Sequence, residues 1–172
     1  DEVEDLRRRV EKILEDVKRT VETASKRDRE LNEEVNRLLR ESVERVDRLL
    51  DRIRREADGG EEVVRDAERI VKESEKLSTD LVRRLRDSLR RLEELVERLV
   101  RELERVVKEA EEAGVRKEIV DRLRKAVEEV SREARKILDE NRRRNEESEK
   151  RMREINKRLE DKVREVKKEL EK

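Results

Sequence analysis

Apolar side chains recur at steps of three or four along nearly the whole chain. From Val63 the series runs through Ala67, Ile70, Ser74, Leu77, Leu81, Leu85, Ser88, Leu92, Leu95, Leu99, Leu103, Val106 and Ala110 to Ala113, fourteen steps over fifty residues. A mean step near 3.6 keeps one face of an α-helix in phase for the entire segment, and a disordered charged chain holds no such register. A second series runs Ile119, Leu123, Ala126, Val130, Ala134, Ile137, Asn141, Asn145, Ser148, Met152, Ile155, Leu159, Val163, Val166, Leu170. Its mean step is again close to 3.6 and above the 3.5 of a left-handed coiled coil, which predicts nearly straight helices with little supercoil.

Within the second series the stretch DENRRRNEESEKR, residues 139–151, has no apolar side chain. Asn141, Asn145 and Ser148 nevertheless fall on the face that carries Ile137 before them and Met152 after them. A loop would break the phase, so the stretch reads as continuous helix whose inner face has turned polar.

The three glycines stand where the pattern is interrupted. Asp58, Gly59 and Gly60 separate Ala57 from Glu61, and Gly59 suits the left-handed position after a helix, while Glu61 and Glu62 suit a helix N-terminus. Gly114 is followed by Val115, an apolar residue of the kind that closes a Schellman turn. Two tight turns give an all-α fold of three helices, residues 1–57, 61–113 and 115–172, each roughly 80–87 Å long at about 1.5 Å per residue. Connections this short make neighbours antiparallel, so the expectation is an up-down-up bundle forming one elongated domain over residues 1–172.

That topology places polar residues at matching heights. Helices 1 and 2 are level where residue numbers sum to about 119, helices 2 and 3 where they sum to about 228, and helices 1 and 3 at an offset of about 109. Asn32 then meets Ser88, Ser88 meets Asn141, Ser42 meets Ser78, Ser78 meets Ser148, Ser74 meets Asn156, and Asn36 lies level with Asn145. Unpaired buried polar groups cost about 1–3 kcal/mol each, so gathering donors and acceptors at common heights lets them satisfy one another. The gain is in specificity: a slipped register strands an amide against leucine. Ser25, Asp28, Thr79 and Ser131 lie near this zone and are as consistent with half-exposed boundary positions.

Charge narrows the chemistry. Fifty basic residues balance fifty acidic ones, and His, Cys, Phe, Trp and Tyr are absent. No net field steers the chain to nucleic acid or an anionic membrane, and the mixed charges read as a solvated surface laced with i,i+4 pairs. The usual general acid-base, thiol and stacking groups are missing, and no cofactor, metal or small-molecule ligand is expected. Asp28, the one candidate inward carboxylate, reads as a network acceptor. Apolar runs never exceed two residues, which predicts a soluble chain without a targeting signal, cytoplasmic when expressed recombinantly.

These residues together resemble computationally designed helical bundles: Asp-Gly-Gly and Gly turns, Leu/Val/Ile cores, Arg/Glu/Asp/Lys surfaces, and buried Asn and Ser written in as specificity devices. Two features depart from that pattern, since no Ser, Thr, Asp or Asn caps helix 3 and the polar zone is longer than one layer. Adjacent apolar pairs such as Val63 with Val64 and Val106 with Val107 widen the helix 2 stripe beyond a simple seam. The expectation is that Leu81, Leu85, Leu89 and Leu92 are thinly covered and that a further helix, from another designed chain or a copy of this one, packs between helices 1 and 3. The alternative is a self-contained monomeric scaffold.

Overall fold

The computed structural model describes residues 1–55 and 59–171. Three helices account for nearly all of them: α1 Glu2–Arg55, α2 Gly60–Glu112 and α3 Lys117–Glu171, with no strand among the described residues. The chain is an all-α three-helix bundle. The expected end of helix 1 at Ala57, the turn residue Asp58 and the terminal Lys172 lie outside the described residues.

Local chemistry fixes the helix ends. Asp1 Oδ1 accepts from the Val3 amide at 3.4 Å, and Glu2, Glu4 and Asp5 place negative charge in the first turn of α1, where the helix dipole favours it. Arg52, Arg54 and Arg55 do the converse in its last turn. Gly59 has φ of 86° and its carbonyl accepts from the Val63 amide at 3.2 Å, so it supplies the left-handed turn. Gly60 is corrected from turn to helix: it is the first residue of α2 and, unlike Gly59 before it, does not have a positive φ. At the other junction Gly114 has φ of 75°, its amide donates to the Glu111 carbonyl at 3.1 Å, and the Val115 amide donates to the Ala110 carbonyl at 3.1 Å. That pair of bonds is a Schellman motif, with half-buried Val115 packed on the core beside Ala110. The motif uses up Gly114 and Val115, so α3 starts at Lys117 and not at residue 115. Arg116 takes the cap position with its carbonyl alone, which accepts from the Ile119 and Val120 amides.

The chain divides into two compact units, Asp1–Arg29 with Asp87–Arg143, and Glu30–Arg86 with Arg144–Lys172. In the first, α1 contributes Val10, Val17 and Val21, α2 Leu103, Val106 and Ala110, and α3 Val120, Val127 and Ala134 to one apolar cluster. In the second, Val46, Ala67 and Leu159 centre one cluster, and Val35, Leu85 and Met152 centre another. Antiparallel packing is plain within each unit: Arg9 of α1 pairs with Glu109 of α2 in the first, and Glu68 and Arg86 of α2 pair with Lys167 and Glu149 of α3 in the second.

Burial keeps close to the 3.6 read from the sequence over each helix, and locally runs in rows of seven. Val64, Val71, Ser78, Leu85 and Leu92 are all buried at intervals of seven, as are Val120, Val127, Ala134, Asn141 and Ser148, and Leu138, Asn145, Met152 and Leu159. Seven-residue recurrence is the spacing of a coiled-coil seam. It reassigns two positions. Ser78 takes the inward place, so its neighbour Leu77 is turned out and is 45% exposed. The row Ala67, Ser74, Leu81 continues through half-buried Leu89 to Val96 and Leu103, passing over Ser88, which is exposed. A straight helix drifts about 20° per heptad, which is the reason the row must advance by eight at that point. Leu81, Leu85 and Leu92, expected to be thinly covered, are buried by the chain's own helices.

Candidate functional site

The buried polar residues are an unusual chemical feature of the described helices. In the first unit Ser25 Oγ of α1 donates to Asn141 Oδ1 of α3 at 3.4 Å, and Asn141 is 1% exposed. Asp28, one turn further along α1, is buried as well. In the second unit Asn32 Nδ2 donates to Asn145 Oδ1 at 3.1 Å, and Ser148 Oγ donates to Asn32 Oδ1. Asn32 thereby ties two successive turns of α3 to α1 through both ends of its amide. The Asn145 Nδ2 group is buried without a hydrogen-bond partner.

A second polar group joins α2 to α3. Ser74 Oγ donates to Asn156 Oδ1 at 2.9 Å, and Asn156 Nδ2 donates to Ser78 Oγ at 3.1 Å. Ser74 and Ser78 stand one turn apart on α2, so a single amide spans the pair, and both of its ends are satisfied. Ser42 is half-buried and lines, with Ser74 and Ser78, a small recess of about 10 Å³ among Val35, Leu39 and Met152. That volume is at the lower limit for one water molecule.

Several pairings differ from those the sequence heights gave. Asn32 meets Asn145 and Ser148 and not Ser88. Asn36 is half-buried and accepts from Arg151 Nη1 at 2.6 Å, not from Asn145. Ser78 bonds Asn156 in place of Ser42 or Ser148. For the α1–α3 pairs the offset differs, since hydrogen-bonded partners lie 113 to 116 residues apart against the expected 109 or so, while the Ser78–Asn156 bond belongs to the α2–α3 register. Each one-residue displacement of a turn changes the level sum of its two antiparallel helices by two. The start of α2 at Gly60 and of α3 at Lys117 move the offset in the same direction.

Sequence reasoning undervalued Ser25 and Asp28, and the signal that finds them is the seven-residue row. Ser25, Asn32, Leu39 and Val46 form one row and Val21, Asp28 and Val35 the next, all buried. Thr79, by contrast, is exposed and bonds the Glu75 carbonyl of its own helix.

Around these groups the helices are laced by ion pairs. Arg86 presents Nε and Nη2 to the two carboxylate oxygens of Glu149 at 2.8 and 3.1 Å, and this fork holds the guanidinium above its ordinary range. Lys162 Nζ reaches Asp47 Oδ1 at 2.7 Å. Glu75 and Glu160 face each other across α2 and α3, and the hydrogen bond between the carboxyls, aided by partial burial, raises the Glu75 pKa. No group of three or more potential ligands among the described residues is placed to hold a metal ion, and no described helix is long and apolar enough to cross a membrane. No protein-family model matches the chain, and no curated protein or solved structure does either.

Proposed function

We propose that the chain is a structural and interaction module without a reaction of its own, built on the pattern of designed bundles. It engages a further helix by apolar burial, while its internal Asn and Ser contacts hold register. The observation that carries this reading is the Asn32–Asn145–Ser148 group: α3 brings polar side chains to its buried face where leucine is the cheaper choice for stability, and their bonds run to specific turns of α1. Buried amides of this kind discriminate among registers and partners more than they stabilise. Leu77, 45% exposed, supports the engagement of a further helix.

The second reading is a self-contained scaffold, and burial of Leu81, Leu85 and Leu92 by the chain's own helices favours it. Sedimentation equilibrium of the purified chain, recorded by interference because no aromatic residue absorbs, is the first test. A clean multiple of the chain mass identifies a copy of this chain as the further helix's source. A single-chain mass leaves a different partner or the scaffold.

A further inference from the structure

Three serines share one small recess in the second unit. Ser42 of α1 and Ser74 and Ser78 of α2 line it, and its other lining residues, Val35, Leu39 and Met152 among them, are all apolar. Its volume of about 10 Å³ matches a single water and shuts out anything larger. An ion would find no opposite charge in that lining. Leu77, also part of the lining, is 45% exposed, so solvent lies close by.

The hydrogen bonds already made by the α2 serines decide what each can still offer. Ser74 Oγ gives its hydrogen to Asn156 Oδ1 at 2.9 Å and keeps its lone pairs, so it remains an acceptor. Ser78 Oγ receives a hydrogen from Asn156 Nδ2 at 3.1 Å and keeps its own, so it remains a donor. The two stand one turn apart with opposite needs, and a water meets both at once. Its second hydrogen is then free for the hydroxyl of Ser42, which rotates to suit either role. Three hydrogen bonds are what a buried water ordinarily makes.

We infer that the Ser42, Ser74 and Ser78 recess binds one ordered water, which carries the α2–α3 hydrogen bonds of Asn156 across to α1. The bridge adds to the register-holding reading above and does not rest on whether the chain engages a partner. Through it one run of hydrogen bonds touches Ser42 on α1, Ser74 and Ser78 on α2 and Asn156 on α3. A slip of α1 by one turn brings Leu38 or Val46 to the place of Ser42, and neither can bond a water. Register is thereby read on α1 as well as between α2 and α3.

The full chain carries the test, first in a high-resolution crystal structure. One water should lie about 2.5–3.0 Å from the Oγ atoms of all three serines. A dry recess overturns the site, and a water on Ser74 and Ser78 that stands clear of Ser42 overturns the bridge to α1. In solution, oxygen-17 relaxation dispersion counts waters held for longer than the molecule takes to tumble, and it is blind to exchanging hydroxyl hydrogens. S42V, which fills the recess with methyl groups, should lower the count by one, whereas S88V, at an exposed serine, should leave it unchanged. Equal counts in the parent and S42V overturn the inference. Circular dichroism checks that S42V is folded, and the crystal reading of the parent does not depend on it. Sedimentation mass is blind to the water, so its failure and the failure of helix engagement are read separately.

Discussion

Asn32 of α1 and Asn145 of α3 share a buried amide hydrogen bond of 3.1 Å, while the Asn145 Nδ2 group, itself buried, has no acceptor. The contact is therefore directional and incompletely satisfied, which makes its two partners unequal. Replacing Asn145 alone by Leu removes the oxygen that accepts from Asn32 Nδ2 and should cost about 1–3 kcal/mol. Replacing Asn32 alone strands the Asn145 oxygen and the Ser148 hydroxyl, so it should cost at least as much. The double Leu variant should lose less than the sum of the two singles, since only the Ser148 hydroxyl is left without its acceptor. Urea unfolding followed by circular dichroism gives all three values, and a double variant as unstable as the sum of the singles would show that the amides contribute stability as well as register.

Leu85 and Leu77 are two turns apart on α2 and chemically identical, yet one is fully buried and the other 45% exposed. L85A opens a cavity among Val35, Leu39 and Met152 and should cost about 2–5 kcal/mol. L77A should stay within about 0.5 kcal/mol of the parent, as surface changes do. Equal losses in thermal or urea unfolding would place the two side chains on the same inner face that the three-to-four residue stepping assigns them.

That pair also shows how much was legible beforehand. Three helices, their antiparallel order and the helical nature of residues 139–151 follow from apolar periodicity and three glycines, because those signals are local and repeated many times. Which of two adjacent residues points inward does not follow. Steps of three and four accept Leu77 and Ser88 as readily as Ser78 and Leu89, and only the packed neighbours choose between them. The polar partners were misassigned for a related reason: an error of one or two residues at a turn is carried unchanged to the far end of every helix. Asn32 was thus placed against Ser88 when its amide meets Asn145, and Ser25 and Asp28 were undervalued although steps of three and four from Val21 to Val35 pass through both.

The facing carboxyls of Glu75 and Glu160 give a dependence on pH with a definite sign. The Glu75 pKa is raised above its ordinary 4.5 by the hydrogen bond to Glu160, then by partial burial and the Glu160 charge, with Lys72 opposing. A raised carboxyl favours the protonated folded state, so its contribution is present below pH 4.5 and is lost as pH rises through the folded value. E75Q, which keeps a donor toward Glu160 and removes the repulsion, should stabilise the protein at pH 7 and make no difference near pH 4. Unfolding midpoints of the two proteins at both pH values decide it, and a gap that widens on acidification would reverse the assignment.

The three glycines should respond differently to alanine, although each marks a junction between helices. Gly59 and Gly114 have φ of 86° and 75°, and an added Cβ would meet nothing within 4 Å at either. The penalty there is purely that of the left-handed backbone, about 1–2 kcal/mol for G59A and for G114A. Gly60 lies in α2, and its added Cβ would come to 3.0 Å from Cδ2 of Leu170, the far end of an exposed and flexible side chain. Leu170 can swing aside, and alanine is the better helix former by about 1 kcal/mol in a helix interior, less at a first position. G60A should therefore be neutral or slightly stabilising. Thermal unfolding of the three single variants checks the ranking, and a loss for G60A matching that for G59A would mean that both glycines belong to the turn.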